Sequence, residues 1–473
     1  MAEGDAASRE TAPVDSGLER LLMRPRTARF ALWQALLAAL VGVMALILFG
    51  SFALEGQEKN ANILERAAHA ISSAPITAKQ FIADAISRKN EREAQEQRFA
   101  GEIGFTRRDG GATSGAALLL SRYDGDALKG VVELLDLDTG AVLHTWSPDI
   151  DAINARSALS EKIAHLKRDF NKRRYVYNAP LALDDGSLIF NGMDSPIVKI
   201  DVCGNPVWTV DGFFHHSLER DSDGNLWNPA RLLKPAIHYV NDAFIGDAIT
   251  KISPSGEIVY QKSVSQILID NGLRHIVYSH DEYVRDPIHL NDIQPVPGDG
   301  PYWKKGDLFL SVRTPSLVLL YRPSTNEIVW KRQGPWLLQH DVDIISDHEI
   351  GVFNNNAVMS SFGAKTINAN SVIIYDFDTE ETRELIPEAI ERNEVRTHTN
   401  GLFNLAEDGS LMIEEHNFGR LIEFAPNGDV RWTYINRAPK DGRVFHPGWS
   451  RYLEPQEASA LKAAVEKADC GAQ

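Results

Sequence analysis

Imidazole recurs at one kind of place along this chain. His216 stands in HHSLERDSDGNLW, His289 in HLNDIQPV, His340 in QHDVDII and His398 in HTNGLFNLAEDG, each opening an extended stretch that usually runs into an acidic turn. Asn291 and Asn400 follow His289 and His398 by two residues, and on a strand i and i+2 share a face. Arg313 closes the strand-like DLFLSVR, where polar residues interrupt an apolar run. A single histidine is more often a packing residue, and a single arginine a surface brace. Imidazoles brought together from separate segments are costly to desolvate, and their repetition points to chemistry or to metal binding. A guanidinium among them would hold an anion bidentately. Asp292 and Asp341 lie next to Asn291 and His340 and by alternation turn away, so the facing carboxylate pair of glycosidic cleavage is not offered. No Walker loop, GxSxG elbow or HExxH motif occurs. His348, His416 and His446 fall outside the pattern and read as structural, and His215 should face away if His216 faces in.

Something must carry these residues to one place, and a repeated hairpin supplies it. GVVELLDLDTGAVLHTW, PIVKIDVCGNPVWTV, DAITKISPSGEIVYQ, SLVLLYRPSTNEIVWKRQG, SVIIYDFDTEETREL and RLIEFAPNGDVRWTY each read as strand, tight turn, strand. The histidine-led segments lie between them, and two hairpins make one four-stranded unit. The expected fold is all-β: a six-bladed β-propeller over 111–455, whose innermost strands line a central channel. Asn178, His216, His289, His340 and His398 would then open successive inner strands near one mouth. GAALLLSRYDG starts a first blade that is one strand short, closed by RVFHPGWSRYL or by a strand before Gly111. A helical insertion is expected over 151–173 and a C-terminal tail over 456–473.

The chain's 473 residues, 43% hydrophobic and 24% charged, are enough for a large core. A net charge of −16 argues against nucleic-acid binding, which needs surplus Lys and Arg. Residues 30–54 carry no Asp, Glu, Lys or Arg and are long enough to cross a bilayer as one transmembrane helix. Arg20, Arg24, Arg26 and Arg29 precede this stretch and Glu55 and Glu58 follow it, which places a 1–29 tail in the cytoplasm and the bulk outside the membrane. An Ala-, Glu-, Lys- and Arg-rich stretch then predicts a helical stalk over 55–110. Cys203 and Cys470, far apart and one near the end, reveal no disulfide framework.

Taken in order, HHSLERDSDGNLW, IHLNDIQPV, LFLSVRTPSLVLLYRPSTNEIVWKRQG, QHDVDII and HTNGLFNLAEDGSLMI resemble the bacterial arylsulfotransferases over about 178–434. The resemblance implies a six-bladed propeller that moves a sulfuryl group from a phenolic sulfate ester to a phenolic acceptor, with no nucleotide donor or other cofactor. It implies His340 as the nucleophile that becomes sulfated. His289, His216 and Arg313 would complete the catalytic set, holding sulfuryl oxygens or exchanging the phenolic proton, and Asn291, His398 and Asn400 would help bind substrate. Family members carry an N-terminal β-domain and a disulfide near the active site; here an anchor and stalk occupy the first place, and no cysteine lies near His340. Two other readings are a membrane-tethered propeller that only binds a protein or envelope polymer, and a metal ion held by several histidines.

Overall fold

The computed structural model describes residues 32–55, 62–108, 115–158, 171–241, 244–281, 283–360 and 363–470. The expected cytoplasmic tail and residues 159–170 of the expected insertion lie outside these. The chain divides into two compact units, Met1–Ser87 and Arg88–Gln473. In the first, residues Leu32–Glu55 form a helix whose stretch Trp33–Glu55 is long and apolar enough to cross a membrane. Its large apolar side chains, such as Leu46 and Ile47, are exposed. A second helix, Ile63–Arg98, runs through the region read as a stalk.

The second unit is mostly β and propeller-like, built of antiparallel meanders. Three sheets have four strands, one has five, and one longer sheet of eight joins Asn178–Ala182 through Phe214 to Ile258–Ser263 as a path of seven strands, with Glu219–Arg220 pairing beside it with Leu226–Arg231. All six hairpins read from the sequence pair as antiparallel strands. They form because apolar residues alternate and the turns carry residues that tolerate positive φ. Gly428 of the Pro-Asn-Gly turn has φ +84°, and a Cβ there would stand 2.9 Å from Ala389 Cβ. Leu118, Leu134, Phe190, Phe214, Leu310 and Phe424 are fully buried between sheets, each contributing about 1.5–3 kcal/mol.

The first sheet is closed by Arg451–Leu453, which pairs with Ala117–Leu119 and lies within the RVFHPGWSRYL segment. The strand Gly104–Arg107, the other candidate, adds a fifth strand to the last sheet by pairing with Trp432–Ile435. Within the expected C-terminal tail, Pro455–Lys467 is a helix whose Ala458 and Leu461 join the same buried cluster as Leu119 and Val198, and Cys470 is disulfide-bonded to Cys203. Of the expected insertion, only Ile150–Ala155 is helical among the described residues. Asp149 caps it by accepting from the N–H of Ala152.

Candidate active site

The residues that enter the inner strands share an unusual backbone. Ala179, His216, His289, Asn400 and Trp449 all have positive φ, between +42° and +57°. Left-handed backbone costs a non-glycine residue roughly 1–2 kcal/mol, and Asn and His tolerate it better than most. The local reason for His and Asn at these positions is therefore partly conformational. The turn also swings the side chain out of strand alternation, and a register shift between Leu290 and Asp292 adds to this. The inference that Asn291 shares a face with His289 consequently has no backbone basis.

Side chains from each sheet stitch the next one in place. Asn178 donates to the carbonyl of His216 at 2.8 Å, Asn291 to that of Gln339 at 3.0 Å, and Asn355 to those of Thr397 and Asn400 at 3.0 and 2.8 Å. In the same way Ser217 Oγ accepts from Ile293 N–H, Asp292 from Val342 N–H and Asp341 from Phe403 N–H, at 3.0–3.1 Å. Asp292 and Asp341 are thus interior residues. Asp341 shares a cavity of about 80 Å³ with Asp343, Glu219 and Arg451. Burial, then Glu219, pushes Asp292 up to about 7, and burial holds Asp341 and Asp343 well above the usual carboxylate range.

On this frame three of the histidines from the sequence meet. The ring of His216 lies 5.5 Å from that of His289 and 5.9 Å from that of His340, centroid to centroid. His340 is 2% exposed and engaged at both nitrogens: Nδ1 faces Asn355 Oδ1 at 2.7 Å, and the Asn400 N–H donates to Nε2 at 2.9 Å. Those partners place the proton on Nδ1 and the lone pair on Nε2. His289 Nδ1 sits 2.6 Å from Asp286 Oδ2, and its N–H is capped by the same carboxylate. Arg313 hydrogen-bonds through its own N–H to the carbonyl of His289, and its Nε is buried without a partner.

Charge explains the protonation. Burial, then the Arg313 guanidinium, holds His340 well below the usual imidazole range. His216 is also held well below it, by burial first and then by His215, His289, His340 and Arg231. Burial lowers Arg313 as well, against the pull of Asp286. The result is neutral imidazoles beside a guanidinium with an open donor, an arrangement suited to an anion.

The other residues from the sequence fall differently. Asn400 reaches His340 through its main chain rather than its amide. His398 is an electrostatic neighbour of His416, whose ring lies 4.7 Å from that of His446. The charge of His416 would in turn disfavour protonation of His340. Trp336, four residues before His340, is core rather than a stacking surface for substrate: it is fully buried with its Nε1 donating to Ser316 O at 3.0 Å. The sequence also missed Trp449, whose ring is 5.9 Å from His216; its one signal was its position in the closing segment. The imidazole nitrogens of the site do not gather as metal ligands: among the described residues the only group with ligand atoms within 4.8 Å is His348, Glu349 and Asp376. There His348 already pairs with Asp347 and Glu349 with Arg383.

Comparison with known proteins adds a family. The family described as Arylsulfotransferase (ASST) matches residues 179–437, more than half of the chain. No curated protein matches. Among solved structures, a protein of unknown function from Bacteroides caccae overlaps at TM-score 0.45 with 12% identity, over 72% of this chain and 99% of that one. The WD40 β-propeller domain of Doa1 overlaps at 0.37 with 12% identity, over 74% and 92%. A streptogramin B lyase overlaps at 0.34 with 13% identity, over 56% and 70%. These overlaps are too loose to bear on mechanism.

Proposed function

This chain belongs to the arylsulfotransferase family, and from that premise we propose that it moves a sulfuryl group from an aryl sulfate to a phenolic acceptor through a sulfated His340. The observation that carries the proposal is the meeting of His216, His289 and His340 beside Arg313, whose buried Nε has no partner. Sulfuryl transfer resembles phosphoryl transfer in needing positioning and charge stabilisation above all. Arg313 and the His289 ring would hold the non-bridging oxygens. His340 attacks through Nε2, the S–O bond to the aryl oxide breaks, and Nδ1–H stays on Asn355 while Nε2 carries the SO3 group. An acceptor phenol then attacks sulfur, the S–N bond breaks, and its electron pair returns to Nε2. Two displacements at one nucleophile give ping-pong kinetics.

The six hairpins support counting six blades, with the eight-stranded sheet taken as two. For location, we place the first helix in a membrane and the β unit on its extracytoplasmic side. The arginines ahead of the helix support this orientation, and so does the Cys203–Cys470 disulfide, a bond that persists in oxidising compartments. The test is sulfate transfer from 4-nitrophenyl sulfate to phenol by the full chain in detergent. His340→Ala should abolish transfer and His348→Ala should leave it unchanged. Equal activity in wild type and His340→Ala would refute the assignment.

A further inference from the structure

His216 does not stand alone behind the site. Its Nδ1 lies 2.8 Å from Nδ1 of His215, so one ring must donate and the other accept. On the far side of His215, Nε2 faces Asp247 Oδ1 at 3.6 Å. That is just beyond hydrogen-bond length, and neither atom has another partner. Contacts of this kind often tighten only when substrate binds. Asp247 is itself fixed, because its Oδ2 accepts the N–H of Leu290 at 2.7 Å, the residue after His289. All three side chains are buried: Asp247 and His215 are 1% exposed and His216 is 4%.

We propose that Asp247 and His215 are positioning residues that set the tautomer of His216, leaving its Nε2 bare to act as the base for the acceptor's phenolic proton; this rests on the transfer reading above. The logic is one of hydrogen-bond parity. A carboxylate opposite His215 Nε2 requires the proton there. A neutral His215 then has a bare Nδ1, which can only accept. His216 must therefore carry its proton on Nδ1 and its lone pair on Nε2. Burial pushes Asp247 up, but His215, His289 and the Leu290 N–H outweigh it and keep the carboxyl below its usual range.

The proton count closes over a cycle. As the acceptor oxygen attacks sulfur and the S–N bond of sulfated His340 breaks, the phenolic proton passes to His216 Nε2. The imidazolium formed is stabilised through His215 by Asp247 and returns to the neutral Nδ1 tautomer by giving its proton to solvent, which balances the proton that the departing aryl oxide takes up. The groups that bear on His216 are His215, His289, His340 and Arg231, and each disfavours its protonation. Asp247, reached through His215, is the carboxylate that offsets them.

The experiment uses the full chain in detergent with ¹⁵N-labelled histidine, His216 being assigned by difference against His216→Gln. Wild type should show His216 protonated at Nδ1. Asp247→Asn and His215→Ala should mix or invert the tautomer and lower kcat about 10²–10⁴-fold with KM within about threefold. His215→Gln, whose amide oxygen can still accept from His216 Nδ1–H, should lie nearer wild type in both readouts. An unchanged His216 tautomer in Asp247→Asn and His215→Ala would overturn the proposal, as would equal losses in His215→Gln and His215→Ala. If wild type transfers no sulfate, the transfer reading fails, while the tautomer comparison still decides whether Asp247 and His215 control His216.

Discussion

The main-chain N–H of Asn400 donates to Nε2 of His340 across 2.9 Å, and Nε2 is the nitrogen that must attack sulfur. In the resting site the lone pair is therefore already engaged. An incoming sulfuryl group has to displace that N–H, at a cost of about 0.5–1.5 kcal/mol for an ordinary hydrogen bond. The contact also has a use, because together with Asn355 it holds the reactive tautomer before substrate arrives.

Asn355 should therefore matter more than its distance from the chemistry suggests. Its Oδ1 faces His340 Nδ1, and its amide holds the carbonyls of Thr397 and Asn400. Asn355→Ala removes the acceptor that fixes Nδ1–H and the amide that holds the Asn400 carbonyl, while the Thr397 carbonyl keeps Asn370 as a donor at 2.9 Å. We expect kcat to fall about 10–100-fold and stability by about 1–3 kcal/mol, measured by initial rates and thermal unfolding. A variant with wild-type kcat would remove Asn355 from the account.

The acid side of the pH profile should follow His340. Burial and Arg313 both hold it well below the usual imidazole range, so the nucleophile remains neutral as pH falls through about 6.5. The acid limb of kcat/KM is expected at a pH well below that at which a free imidazole titrates. Arg313→Gln removes a positive charge that disfavours protonation, so it should move that limb to higher pH and also lower kcat about 10²–10³-fold. A limb that moves down, or not at all, would show that Arg313 does not act on His340.

The disulfide gives a separate test of architecture. Cys203 and Cys470 are 267 residues apart in sequence, and they line a cavity of about 550 Å³ with His144, Trp146 and Lys172 rather than with the site histidines. Cys203→Ser should cost about 2–4 kcal/mol of stability and lower the melting temperature by several degrees. Transfer at 25 °C should be unchanged. A loss of transfer with an unchanged melting temperature would reverse the roles assigned here.

The hairpins were legible because alternation and turn chemistry are local, and the histidines because they recurred at equivalent places in those repeats. The partners were not legible. Asp247 and His215 meet through sheet packing across 32 residues, and nothing in either segment announces it. Alternation failed at Asn291 because the left-handed His289 and the neighbouring register shift break the period of two. The role of Asp341 was not legible, because its carboxylate serves the main-chain N–H of Phe403, 62 residues away in sequence. The Cys203–Cys470 bond was hidden by distance alone.

The central claim is covalent. Full-length protein mixed with 4-nitrophenyl sulfate and no acceptor, quenched under mildly alkaline conditions and digested, should yield the peptide containing His340 heavier by the ~80 Da of an SO3 group. The gain should vanish on adding phenol and be absent in His340→Asn. Steady transfer without that adduct, or an adduct on another residue that survives in His340→Asn, would contradict the account.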